Sequence, residues 1–180
     1  MPVVVEKSTR IEGVVLVHFQ KFGDSRGYFY ESYRRSWIPG VRDMVQGNTS
    51  FSGAGVLRGM HYHHKQVDFW SVPAGKVRAA LYDFRPSSST SGAGLVVEMG
   101  KDSPVGIYIP VGVAHGFCAL EDSFMTYLVD EYYDGSDEMG IRWDDPGMGI
   151  DWGLTSPPTL SDRDAKNPPL AEIAPAQRPR

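Results

Sequence analysis

Four of the five histidines in this sequence fall in two short segments, and that clustering is the first sign of chemistry. In RGMHYHHKQVD, His61 and His63 stand two positions apart, with Asp68 and then Gly75 following. In PVGVAHGF, Pro110, Gly112 and His115 have a P-x-G-x-x-H spacing. A neutral imidazole accepts protons near pH 7 and also ligates metals, so these residues suit acid–base or metal chemistry. Residues i and i+2 of a strand share a face, so His61 and His63 can both point inward. The Pro-x-Gly turn would aim His115 at the same interior. The plain alternative is that His61, His63 and His64 form a hydrated edge cluster without a role. The matching second segment argues against it.

The elements that must position these side chains read as short strands. Candidates are residues 13–20, 27–33, 56–63, 68–72, 76–84, 94–99, 105–109, 115–119 and 124–130, all rich in β-branched and aromatic residues. Turn signals such as GDSRG, PAGK, PSSSTSG and PVG punctuate them. Helical periodicity is scarce, with one short helix expected within Tyr33–Val41, ended by Pro39-Gly40. Many short strands favour a sandwich or barrel over a βαβ fold. From Trp143 onward the chain is proline-rich and aperiodic, which predicts a wrap over the barrel, and the closing IAPAQRPR reads as a frayed tail.

Composition limits the function classes. A length of 180 residues suits one domain, and 41% hydrophobic content supports a core without disulfide or metal staples. The net charge of -4 argues against a nucleic-acid partner. The single cysteine, Cys118, lies in an apolar stretch and reads as a small buried hydrophobe. The apolar run before Glu6 and Lys7 is too short for a signal peptide, and no run approaches the roughly 20 residues of a membrane span. The expectation is a cytoplasmic protein without a membrane partner.

Together the two histidine segments resemble the two motifs of the cupin superfamily, a double-stranded β-helix (jelly-roll) barrel with its site in the mouth. The implied fold class is all-β, a cupin jelly roll with an irregular C-terminal segment. The longer segments KFGDSRGYFYESY, GVLRGMHYH, IPVGVAHGF and YYDGSDEMGIRWDDPGMGIDW resemble the dTDP-4-dehydrorhamnose 3,5-epimerase family, from about Phe19 to Leu170. The resemblance implies an isomerase that epimerises a dTDP-4-keto-6-deoxyhexose at C3, C5 or both, in dTDP-rhamnose-type deoxysugar biosynthesis. It implies His61 as base, Asp164 as its dyad partner and Tyr127 as the acid on the opposite face. A positioned histidine with a carboxylate behind it suits removal of a proton beside a ketone. No redox cofactor is needed, because the substrate already carries its ketone. By the same resemblance Arg26, Glu31, Gln46, Asn48 and Arg58 hold the nucleotide, with Phe22 and Tyr133 packing near it and His115 in the substrate pocket. It further implies a single domain over residues 1–180, with residues 1–55 exchanged in a homodimer and residues 143–180 as wrap and tail.

The sequence also departs from that family. His63 stands where a glutamine is usual, and Asp68 where a lysine is thought to stabilise the enolate. Ser71, Ala79 and Leu128 replace an arginine, an aspartate and a lysine, while Asp83 is kept. An aspartate facing a developing enolate oxygen repels it. The changes complete a metal-type set of His61, His63, Asp68 and His115, able to hold Zn, Fe, Mn or Ni. One histidine nitrogen cannot be both base and ligand, so a metal-dependent cupin enzyme is the alternative to the metal-free epimerase. A second alternative is a binding barrel that keeps the nucleotide pocket and has lost activity.

Overall fold

The computed structural model describes residues 3–179. Its strands are β1 (Val4–Lys7), β2 (Val15–His18), β3 (Phe22–Asp24), β4 (Gly27–Phe29), β5 (Gln46–Ser52), β6 (Leu57–Tyr62), β7 (Asp68–Ala74), β8 (Lys76–Asp83), β9 (Gly94–Gly100), β10 (Val105–Ile109), β11 (Val113–Ala119), β12 (Ser123–Val129) and β13 (Met139–Gly140). They form two facing antiparallel sheets, β1-β2-β10-β7-β12-β5 and β13-β6-β11-β8-β9, with β3-β4 as a separate ribbon. The architecture is the all-β jelly-roll barrel of the cupin type.

Period-2 alternation explains how each strand serves two layers. In β8, Val77, Ala79 and Leu81 join the core between the sheets, while Ala80 and Tyr82 pack on the opposite side. In β11, Val113 and Phe117 face the inner core, and Ala114 and Cys118 face outward. That outward layer is covered by Ile141, Met148, Trp152 and Ile173 from the C-terminal segment. The other sheet's outer side, including Val15, Val17 and Phe69, is covered by Ile38 and Val41 with Tyr30, Tyr33 and Trp37 packed on them.

Three expectations need correction. The tail is docked, not frayed: Ile173 is 3% exposed, the Tyr62 hydroxyl donates to the Gln177 carbonyl at 3.2 Å, and Arg178 lies over the Phe84 ring. Between Tyr33 and Val41 there is only a single 3-10 turn, Arg35–Trp37, because its apolar residues anchor the sheet instead of building a helix. Strand β5 was not expected at all, since QGNTSFS lacks an apolar face.

Candidate active site

The site begins where β6 and β11 run side by side, with His61 and His115 as register partners. Gly59 allows this approach. Its φ is +127°, and a Cβ there would lie 2.6 Å from the Gly116 Cα. Its N–H also donates to Asp164 Oδ2 at 3.3 Å. Gly112, at φ +78°, makes the turn that launches β11 toward His115.

Asp164 arrives from the C-terminal wrap on the turn Asp164–Lys166 and is 4% exposed. Its Oδ1 lies 2.6 Å from His61 Nε2. Burial pushes this carboxyl up, but the hydrogen bond and charge of His61, the Gly59 N–H and Ser161 outweigh it and hold the carboxyl below the usual aspartate range. An ionised carboxylate only accepts, so Nε2 carries a proton in this pair, and in the neutral ring Nδ1 is the bare nitrogen. Nδ1 sits 3.8 Å from Glu138 Oε1, and His61 and Glu138 both line the cavity between the sheets.

That cavity has a volume of about 340 Å³, within the range of small-molecule sites. Tyr127 lines it from β12, in the sheet facing that of His61. Burial first, then the charges of Asp68 and Glu138, push its phenol up, with Arg58 opposing. The hydroxyl therefore keeps its proton at neutral pH.

The cavity brings together most of the residues singled out from sequence: His61, Tyr127, Gln46, Asn48, Arg58, His115 and Tyr133. Gln46 Nε2 donates to Asn48 Oδ1 at 2.9 Å and Gln46 Oε1 accepts the Tyr133 N–H at 3.2 Å, so these three form one polar wall. Arg58 is steadied by Ser52 Oγ at 2.9 Å and the Phe51 carbonyl at 3.0 Å. Phe22, Arg26 and Glu31 do not line this chain's cavity. Phe22 and Arg26 lie on the exposed β3–β4 ribbon, Arg26 pairs with Asp24 at 2.6 Å, and Glu31 pairs with Arg34.

Sequence reasoning missed Glu138, which is held by Arg163 at 2.6 Å, and Asp137 beside it. The Asp137 carboxylate accepts the N–H groups of His64 at 2.9 Å and Lys65 at 3.1 Å, and its carbonyl accepts from His63 Nδ1 at 2.7 Å. Both belong to the DGSDE segment, whose acidic run was the available signal.

The four-residue metal set needs revision. His63, Asp68 and His115 offer ligand atoms that all lie within 4.8 Å of one another, but His61 is not among them. Its Nε2 belongs to Asp164 instead. Burial, partly opposed by Asp68, pushes the His115 imidazole down to about 4.

Comparison with known proteins settles the kinship. The family model for dTDP-4-dehydrorhamnose 3,5-epimerase matches residues 8–172. The chain belongs to that family. A dTDP-4-dehydrorhamnose 3,5-epimerase of Sinorhizobium fredii is 34% identical over 175 residues, covering 93% of this chain and 90% of the relative. Among solved structures, a dTDP-6-deoxy-D-glucose-3,5-epimerase from Legionella pneumophila, in complex with dTDP-4-keto-L-rhamnose, superposes with a TM-score of 0.93. It has 32% identity and covers 99% of this chain and 98% of that one. NovW, a 4-keto-6-deoxy sugar epimerase from Streptomyces spheroides, gives 0.92 with 30% identity, covering 99% and 94%. As a member of the dTDP-4-dehydrorhamnose 3,5-epimerase family, the chain is an isomerase by descent.

Proposed function

We propose that the protein epimerises a dTDP-4-keto-6-deoxyhexose at C3, C5 or both, in deoxysugar biosynthesis of the dTDP-rhamnose type. The observation that carries this is the His61–Asp164 pair at 2.6 Å, with His61 on one sheet and Tyr127 on the facing sheet across the same cavity. A hexose ring between the sheets meets a base on one face and an acid on the other. His61 Nδ1 takes the proton beside the ketone, and Asp164 stabilises the imidazolium that forms. The electron pair moves onto the ketone oxygen as an enolate. Tyr127 then donates its proton to the opposite face of that carbon, and His61 returns its proton through solvent to the phenolate. Atoms and electrons balance, and no redox cofactor enters.

Gln46, Asn48, Arg58 and Tyr133 suit the nucleotide end, where a guanidinium fork matches diphosphate oxygens. Phe22, Arg26 and Glu31 enter the cavity of a second subunit in a cytoplasmic homodimer. The aromatic exposure of the β3–β4 ribbon supports this, with Phe22, Tyr28 and Phe29 at 55%, 53% and 65%.

The test is turnover of dTDP-4-keto-6-deoxyglucose in D₂O, followed by NMR at C3 and C5, on protein supplied with divalent metal. His61→Ala should lower deuterium incorporation by about 1,000-fold, whereas Tyr127→Phe should still exchange but invert about 100-fold more slowly. Turnover near wild type in both variants would overturn the assignment.

A further inference from the structure

His63, Asp68 and His115 have a geometry that the proton transfers above do not use. They are 9%, 3% and 4% exposed. Asp68 Oδ2 lies 3.9 Å from His63 Nε2 and 4.0 Å from His115 Nε2, beyond hydrogen-bond reach of either. Each ring has its other nitrogen committed. His63 Nδ1–H donates to the Asp137 carbonyl at 2.7 Å, and His115 Nδ1–H donates to the Val113 carbonyl at 2.9 Å. A carbonyl only accepts, so the ring protons sit on Nδ1 and both Nε2 atoms present bare lone pairs.

Two lone pairs and a carboxylate therefore converge on the wall of the cavity. Three acceptors facing one another are best satisfied by a shared donor or a cation. The Gln66 amide is the donor at hand, but it stands 3.4 Å from His63 Nε2 and 3.3 Å from Asp68 Oδ2, long for each. Among the described residues, the ion-pair partners of Asp68 are these two histidines, with no lysine or arginine.

We infer that His63, Asp68 and His115 bind a divalent first-row cation whose open coordination position faces the cavity and polarises the sugar ketone. The choice of ketone rests on the epimerase reading above. Bonds of about 2.1 Å around a tetrahedral ion place ligands about 3.4 Å apart, so the two gaps from Asp68, at 3.9 and 4.0 Å, close with shifts of about 0.5 Å. Carbonyl acceptors on the far ring nitrogens are the outer support that orients metal-bound histidines. Three protein ligands with one open position are the pattern of a catalytic ion. The ion also reverses the local charge. Asp68 alone repels a developing enolate oxygen, whereas an ion it holds stabilises one. His61 stays free to act as base, because its Nε2 is bonded to Asp164 outside the cluster.

The test is titration of chelator-stripped protein with Co²⁺, read by visible d–d absorption and by metal content after desalting. One equivalent per chain is expected, displaced by Zn²⁺. Asp68→Asn, which keeps shape and removes charge, should weaken binding about 100-fold, while Asp164→Asn should leave it unchanged. Failure of wild-type protein to bind, or equal binding by Asp68→Asn, would overturn the site. In the D₂O assay, exchange should rise at least tenfold on loading stripped protein, and equal rates would overturn the Lewis-acid role. Exchange absent in both forms would sink the epimerase reading and with it that role, while the cobalt titration separately decides whether the ion binds.

Discussion

The cavity holds two imidazole–carboxylate groupings that are built differently. In one, His61 Nε2 and Asp164 Oδ1 touch at 2.6 Å. In the other, Asp68 stands 3.9 and 4.0 Å from the Nε2 atoms of His63 and His115. The carbonyl acceptors differ as well. The rings of His63 and His115 spend their Nδ1 protons on backbone carbonyls and aim Nε2 at the carboxylate, whereas His61 spends its Nε2 proton on Asp164 itself. Contact leaves a single bare nitrogen backed by a negative charge, which suits the base proposed above. Separation leaves several lone pairs around a gap, which suits the ion inferred above. His61 near the end of β6 and His63 just beyond it thus suit different chemistry because different segments meet them, the C-terminal wrap at His61 and the Asp137 loop at His63.

The largest break in this comparison comes from the contacting pair. His61→Ala should lower deuterium exchange into the sugar by about 1,000-fold, because no other group takes the proton. Asp164→Asn keeps the hydrogen-bond geometry but loses the negative charge, so a drop of about 100-fold is expected. Cobalt affinity in both should stay near wild type, and a parallel loss of affinity would show that the two groupings act as one.

A smaller effect is expected at the backbone that joins them. Gly59→Ala introduces a Cβ that would stand 2.6 Å from Gly116 Cα at a φ of +127°. Both the strand contact beside His115 and the N–H bond to Asp164 should suffer. A destabilisation of about 2–4 kcal/mol is expected, read by chemical denaturation, with exchange and cobalt affinity falling together. An unchanged unfolding midpoint would show that the strands can separate without cost.

Much of the barrel was legible because its strands alternate apolar residues for two layers, as β8 and β11 do. Strand β5 was hidden for a functional reason. Its inward residues Gln46, Asn48 and Ser50 line the cavity, so the face that usually betrays a strand is polar. His61 and Tyr127 could be placed through family resemblance, and alternation correctly set His61 and His63 facing inward. It could not separate their roles. Which carboxylate reaches which ring depends on where residues 137 and 164 return from distant parts of the chain, and strand periodicity holds no record of that.

The smallest expected effect on chemistry belongs to a third buried carboxylate, Asp83, which sharpens the contrast because all its acceptor capacity is met. It is 0% exposed, with Arg85 Nε at 2.8 Å, Arg85 Nη2 at 2.9 Å, Ser88 Oγ at 2.6 Å and Thr90 Oγ1 at 2.7 Å. Burial pushes its carboxyl up, but these four bonds and a fifth from the Arg85 N–H at 3.2 Å outweigh burial and leave it below the ordinary aspartate value. A depressed folded-state value means the unfolded chain binds the proton more readily. The stabilisation is therefore complete above about pH 4, where the unfolded aspartate is ionised, and is lost as pH falls through the lower folded value. Asp83→Asn should leave deuterium exchange and cobalt affinity unchanged, because Asp83 lines neither grouping. It should lower Tm at pH 7, and the gap from wild type should shrink as the pH is taken below about 4. Tm measured against pH for the two proteins checks this, and a gap that stays constant into acid would show that the carboxylate's charge contributes nothing to holding the Arg85–Thr90 loop.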